Sequence, residues 1–161
     1  MSFTVRNVSV EDIDQLAAIF CAAYTPEKTG EHWTVEKAKD IVQYWYDRSP
    51  DDLKILATDK NTSEILGAFF ADVKPWWDGV RLIDGEFFIL PDRQGQGIGS
   101  ALMKEMLNRA QNNHNAKNFE TITFMPENGH PLKWYLKIGF EKENDLVVIN
   151  GRLPEILNNL T

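Results

Sequence analysis

The 161-residue chain carries 24 Asp and Glu against 17 Lys and Arg, a formal net charge of −7, with 43% apolar and 25% charged residues. That length and balance describe one soluble globular domain with room for a real core, and with no Lys/Arg stripe no nucleic-acid partner is expected. A single cysteine, Cys21, excludes an internal disulfide framework and suits a reducing compartment. The opening Met-Ser-Phe-Thr-Val-Arg does not read as a secretory signal and no apolar run approaches membrane-spanning length, so a cytoplasmic location and no membrane partner are expected.

Taken in chain order, Phe3–Val8 alternates as a first strand. Ser9, followed three residues later by Asp12, has the pattern of a capping box. The helix after it turns Ile13, Leu16, Ala17, Phe20 and Cys21 inward and ends near Tyr24. Thr34 opens a second helix over Val35–Arg48. Leu53–Thr58 and Ile65–Val73 read as strands joined by a hairpin connection over 59–64, and Val80–Ile89 as the third long strand. A glycine-rich turn then opens a helix. Beyond the Asn-rich break at 112–115, Phe119–Met125 alternates as a strand, Pro131–Lys137 as a helix ended by Gly139, and Leu146–Ile149 as a strand. The tail Leu153–Leu160 reads equally as strand or short helix. This order gives an α/β fold with a mixed central sheet and helices on both faces.

The most specific segment is Glu86-Phe-Phe-Ile-Leu-Pro-Asp-Arg-Gln-Gly-Gln-Gly-Ile-Gly-Ser100. A strand runs into a turn whose glycines tolerate positive φ and leave the backbone open, and the helix that follows presents unpaired N–H groups to an anion. No Lys-Ser/Thr pair follows the glycines, which disfavours a P-loop. Gly95, Gly97 and Gly99 are spaced Gly-x-Gly-x-Gly, late in the chain, which disfavours a dinucleotide fingerprint.

The stretch Gln94-Gly95-Gln96-Gly97-Ile98-Gly99 resembles the acetyl-CoA pyrophosphate loop of the GNAT superfamily of N-acetyltransferases. Asn128-Gly-His-Pro131-Leu-Lys-Trp134-Tyr135-Leu-Lys-Ile-Gly139-Phe140 is similar to that family's later motif. The resemblance implies a single N-acetyltransferase domain over 1–161 with the acyl-CoA N-acyltransferase fold, whose central sheet is mostly antiparallel. It implies acetyl-CoA as co-substrate, no metal, and direct transfer of the acetyl group to a primary amine in a ternary complex. A small-molecule amine is the expected acceptor.

It also implies roles. Pantetheine pairs with the backbone of Phe87, Phe88 and Ile89, and the pyrophosphate rests on Gln94, Gly95, Gln96, Gly97, Ile98, Gly99 and Ser100. Asn128 is a good N-cap type, and the resemblance adds a hydrogen bond to the cofactor. Tyr135 is the candidate general acid for the leaving thiolate; its bland reading is an aromatic packed beside Trp134. Glu86, on the strand leading to the thioester position, is the candidate general base. Asp84, two residues earlier and expected on the same face, is a substrate contact. His32 and Trp33 lie in the connection between the first two helices that forms part of the acceptor pocket in the family. Trp76 and Trp77 sit in a hairpin connection where one ring is expected to be exposed, with Trp77 as an acceptor contact or part of a homodimer surface. His32, His114 and His130 lack metal-ligand spacing. Two other readings stay open: a catalytically silent acyl-CoA-binding module, and a nucleotide-binding switch on the same glycine turn.

Overall fold

Three apolar runs in the middle of the chain, too short for helices and rich in β-branched and aromatic residues, form the centre of a five-stranded sheet. In the computed structural model, which describes residues 3–124 and 129–160, the strands are β1 (Phe3–Asn7), β2 (Lys54–Asp59), β3 (Ile65–Trp76), β4 (Gly79–Ile89) and β5 (Ala116–Glu120). They lie in chain order, antiparallel from β1 to β4, with β5 parallel to β4. The helices are α1 (Ile13–Ala23), α2 (Pro26–Thr29), α3 (Val35–Arg48), α4 (Ile98–His114), α5 (Leu132–Lys137) and α6 (Leu153–Asn159). No helix of the described residues is long and apolar enough to cross a membrane.

The chain divides into a unit of residues 1–122 and a unit of residues 123–161. In the first, α1 and α3 cover one face of the sheet, where Leu16, Phe20, Val42, Phe70 and Phe88 form the core. Phe69 and Phe87 alternate to the other face and stack at 4.5 Å, and Phe87 meets the first turn of α4 at Gly99. α4 is the crossover that makes β5 parallel. Its far end is tied down: Arg109 donates to the Asn7 side chain at 2.6 Å, and Asp52 accepts from Asn113 at 2.8 Å and pairs with His114 at 3.0 Å.

The start of α1 follows the expected capping box. A short 3-10 turn, Val10–Asp12, precedes the helix, and Asp12 Oδ2 accepts from the Ser9 amide at 2.8 Å and its hydroxyl at 2.9 Å. The same carboxylate receives Arg6 Nη1 at 2.7 Å. That guanidinium, helped by Ser9 against the cost of burial, lowers the Asp12 pKa from 3.8 to about 2.

Two expected elements differ, and one reading left open is decided. β5 begins at Ala116 and ends at Glu120, earlier than the alternation over Phe119–Met125 suggests. Leu146–Ile149 pairs with no strand among the described residues, and its side chains are 69–86% exposed. Its β-branched residues favour a strand only where a neighbour supplies the other half of the ladder. The tail forms helix α6, with Pro154 in its first turn. The second unit also holds α5, whose Tyr135 is 6% exposed between Trp134 and Phe140, with ring centroids at 5.0 and 5.1 Å. Gly139, at φ 107°, lets the chain leave that helix.

Candidate active site

The geometry begins at Gly85. Phe70 pairs with Glu86 and Ala71 with Asp84, so Gly85 is an extra residue in β4, a β-bulge. A side chain there would run into the Trp45 indole of α3, which lies directly over the glycine. A bulge tightens the local twist and turns the strand away from its neighbour. The β4–β5 ladder ends one residue before it would meet the bulge, at Ile83 opposite Glu120. From Gly85 to Ile89, β4 and β5 are no longer paired.

The main-chain directions on that stretch follow from one bond. Leu90 donates its amide to the Leu66 carbonyl at 2.8 Å, so alternate residues on β4 bond to β3. Phe87 and Ile89 fall between them and direct N–H and C=O away from β3, toward the separated edge. Of the three residues expected as a rail, Phe87 and Ile89 therefore face the separated edge, while Phe88 bonds toward β3 and contributes its ring to the core against Phe20 at 5.3 Å. Side chains already touch both outward carbonyls. Tyr24 Oη donates to Phe87 O at 3.3 Å, and Gln94 Nε2 donates to Ile89 O at 3.2 Å.

The edge leads into the glycine turn. After a 3-10 turn at Pro91–Arg93, Gly95 (φ 75°) and Gly97 (φ 83°) adopt the left-handed region, and a Cβ on either would meet nothing within 4 Å. Gly97 caps α4 without a side-chain bond, and no acidic residue occupies the first turn. The amides there and the positive end of the helix dipole face outward, as a pyrophosphate requires. Ile98, by contrast, is 1% exposed and anchors the turn in the core; its contribution is its main chain. Arg93 Nη2 bridges at 2.8 Å to Glu64 in the β2–β3 connection, fixing the approach to the turn.

Glu86 lies opposite Phe70 and so on the α1/α3 face, beside the separated edge. The shared face expected for Asp84 and Glu86 does not follow, because the bulge between them interrupts the two-residue alternation; the Asp84 side chain is outside the described residues. Trp33 packs edge-on against Phe20 at 5.0 Å and donates to Glu31 at 2.8 Å, which brings the α2–α3 connection to this same face. His32, next to it, is exposed.

Trp77 is not brought to this place. It is 87% exposed at the β3–β4 hairpin, and at about 3.3 Å per residue the strand from Gly79 to Phe87 is roughly 25 Å long. Trp76 is held beside it between Lys74 and Arg81, at 4.6 and 5.3 Å from its ring. Both cations pair with Glu120, whose carboxyl the Lys74 bond keeps below its ordinary range despite some burial.

Asn128 lies outside the described residues. Tyr135 belongs to the second unit, described above. Burial raises the pKa of the Cys21 thiol, as suits a packing residue rather than a nucleophile. Among the described residues no three His, Cys, Asp or Glu side chains stand where they could hold a metal ion.

Two features escaped the sequence reading. Tyr24 reads there only as a helix end, and nothing in its neighbours marks its hydroxyl as reaching β4. Gly85 carries a signal: an isolated glycine inside a strand pattern marks a bulge or a close approach. Here it marks both.

Comparison with known proteins identifies the family. Residues 28–142 match the model of the family described as "Acetyltransferase (GNAT) domain". An L-methionine sulfoximine/L-methionine sulfone acetyltransferase from Pseudomonas paraeruginosa is 26% identical over 97% of this chain and 86% of its own length. Among solved structures, a transcriptional regulator from Bacillus halodurans superposes with a TM-score of 0.71 at 19% identity, covering 93% of this chain and all of that one. A predicted acetyltransferase from Clostridium acetobutylicum, solved with acetyl-CoA, superposes at 0.66 with 16% identity, covering 92% and 96%. The separated β4 edge, the open glycine turn and the family match agree: this chain belongs to the GNAT family of acetyltransferases.

Proposed function

We propose that the chain transfers the acetyl group of acetyl-CoA to the primary amine of a small molecule by direct attack in a ternary complex. The observation that carries this reading is the continuous path from the separated edge of β4 to the uncapped first turn of α4. Phe87 and Ile89 offer main-chain groups to pantetheine along it, and Gln94–Ser100 receives the pyrophosphate. The 26% identity to an acetyltransferase of L-methionine sulfoximine makes an amino-acid-like amine the first acceptor to try.

In this proposal Glu86 accepts the proton of the attacking amine. The nitrogen forms its bond to the thioester carbon, the carbon–sulfur bond breaks, and Tyr135 gives its proton to the departing sulfur. Support for Tyr135 is its place in the second motif and its burial. Asn128 completes the cofactor contacts, and Asp84, His32 and Trp33 are proposed acceptor contacts; Trp77, at the far hairpin, is not among them. We further place the protein in the cytoplasm, with the exposed Trp77 as a contact in a homodimer.

The test is release of coenzyme A thiol against a panel of amines, beginning with L-methionine sulfoximine and continuing through polyamines, aminoglycosides, amino acids and short peptides. Thiol and acetylated amine are expected to accumulate one for one, well above acetyl-CoA hydrolysis. If acetyl-CoA binds and no amine raises thiol release above that background, the chain is a silent acyl-CoA-binding module. Tyr135→Phe is expected to lower kcat by roughly 100-fold while leaving acetyl-CoA affinity close to wild type. An unchanged kcat at all pH values removes the acid role.

A further inference from the structure

Tyr24 closes α1, where its amide donates to the Phe20 carbonyl at 2.9 Å. Its ring stacks on Phe20 with centroids 4.4 Å apart and planes at 24°. Phe20 in turn meets Trp33 edge-on at 5.0 Å. The Tyr24 hydroxyl donates to the Phe87 carbonyl at 3.3 Å, on the edge of β4 that β3 does not use and β5 does not reach. One side chain thus touches the main chain proposed to hold the donor and the aromatic wall that carries the segment 25–34.

We propose that Tyr24 is a positioning residue that couples donor binding to acceptor binding. The inference rests on the reading of the β4 edge as the donor's rail. A ligand adding along that edge as an extra strand draws the Phe87 and Ile89 peptide groups into a regular ladder. At 3.3 Å the Tyr24 bond is longer than the usual 2.7–2.8 Å for O–H···O, so it has room to shorten as the Phe87 carbonyl is fixed. The carbonyl has a second lone pair, so Tyr24 and the ligand share it without exchange. A Tyr24 held at both ends fixes Phe20, and Phe20 fixes Trp33 and its segment. Linkage makes the effect mutual: an acceptor that orders the Trp33 segment tightens the donor's edge by the same factor.

Tyr24→Phe tests this, because it keeps the stacked ring and removes only the hydroxyl. Coenzyme A binding is measured by calorimetry, and initial rates are taken over a matrix of acetyl-CoA and L-methionine sulfoximine, or the first amine of the panel that is turned over. In the wild type the amine KM is expected to fall about five- to tenfold as acetyl-CoA rises to saturation. In Tyr24→Phe that dependence drops below about twofold and the coenzyme A Kd rises roughly three- to tenfold, while kcat stays within about threefold. Thermal melts within a few degrees of wild type show that packing is intact. A variant with the wild-type Kd and an undiminished KM dependence overturns the proposal. If the wild type acetylates no amine, the functional reading fails separately. The calorimetric arm still decides Tyr24: a weakened Kd supports its role and an unchanged one ends it.

Discussion

The β4 edge and the segment Leu146–Ile149 are both apolar, both rich in residues that favour strands, and differ in what they lean on. β4 has β3 along its length, α1 and α3 over one face and α4 over the other. Leu146–Ile149 has no strand partner among the described residues, and its side chains stand in solvent. Strand propensity is a statement about fitting a half-buried pleated surface, and only the first segment has one to fit. The contrast also separates two uses of an unpaired edge. In β4 the edge follows a bulge over which the partly buried Trp45 ring lies, so it is a built feature.

That contrast can be broken by stability measurements, in order of expected size. Phe70, fully buried opposite Glu86, is expected to cost about 3–5 kcal/mol on truncation to Ala, read from denaturant unfolding. Gly85→Leu drives a side chain into the Trp45 ring and is expected to cost about 2–3 kcal/mol. Adding Trp45→Ala to that variant should recover at least part of the loss attributed to the clash, and additive losses would show that the indole does not hold the bulge.

Asp12→Asn removes the carboxylate shared by Arg6 and Ser9, and the partly exposed guanidinium limits the loss to about 1–2 kcal/mol near neutral pH. Because folding lowers the Asp12 pKa from 3.8 to about 2, its contribution is complete above pH 4 and disappears as pH falls toward 2. Melts from pH 5 to pH 2 should therefore show wild type and variant converging at the acid end. Smallest of all, Ile149→Ser is expected to change stability by less than about 0.5 kcal/mol. A loss above 2 kcal/mol would mean that the segment is covered, and the contrast with β4 would be gone.

Much of the first unit was legible because its patterns are written by burial. Ser9 and Asp12 announced the entry to α1, and the alternation of Ile65–Val73 and Val80–Ile89 announced the two central strands. The glycine turn was legible for another reason: Gly95 and Gly97 are needed for backbone conformations that other residues resist. What was missed depends on partners distant in the chain. The β4–β5 ladder ends at Glu120 just short of a bulge 35 positions earlier, and the Tyr24 hydroxyl bonds a carbonyl 63 positions later. The Phe119–Met125 alternation was a local signal for a strand that tertiary geometry starts and stops elsewhere.

The extra residue at Gly85 has one more consequence: β4 is written in two reading frames. Ahead of it, the odd-numbered Arg81 and Ile83 stand across from Lys74 and Asp72; after it, the even-numbered Glu86 and Phe88 stand across from Phe70 and Ala68. All four turn toward the α1/α3 side, so parity changes meaning halfway along the strand. Lengthening the hairpin by two residues leaves both frames as they are. Deleting the single residue Gly85 is expected to restore one frame and carry the β4 edge back toward β5, so the width of the gap is set by a count of residues.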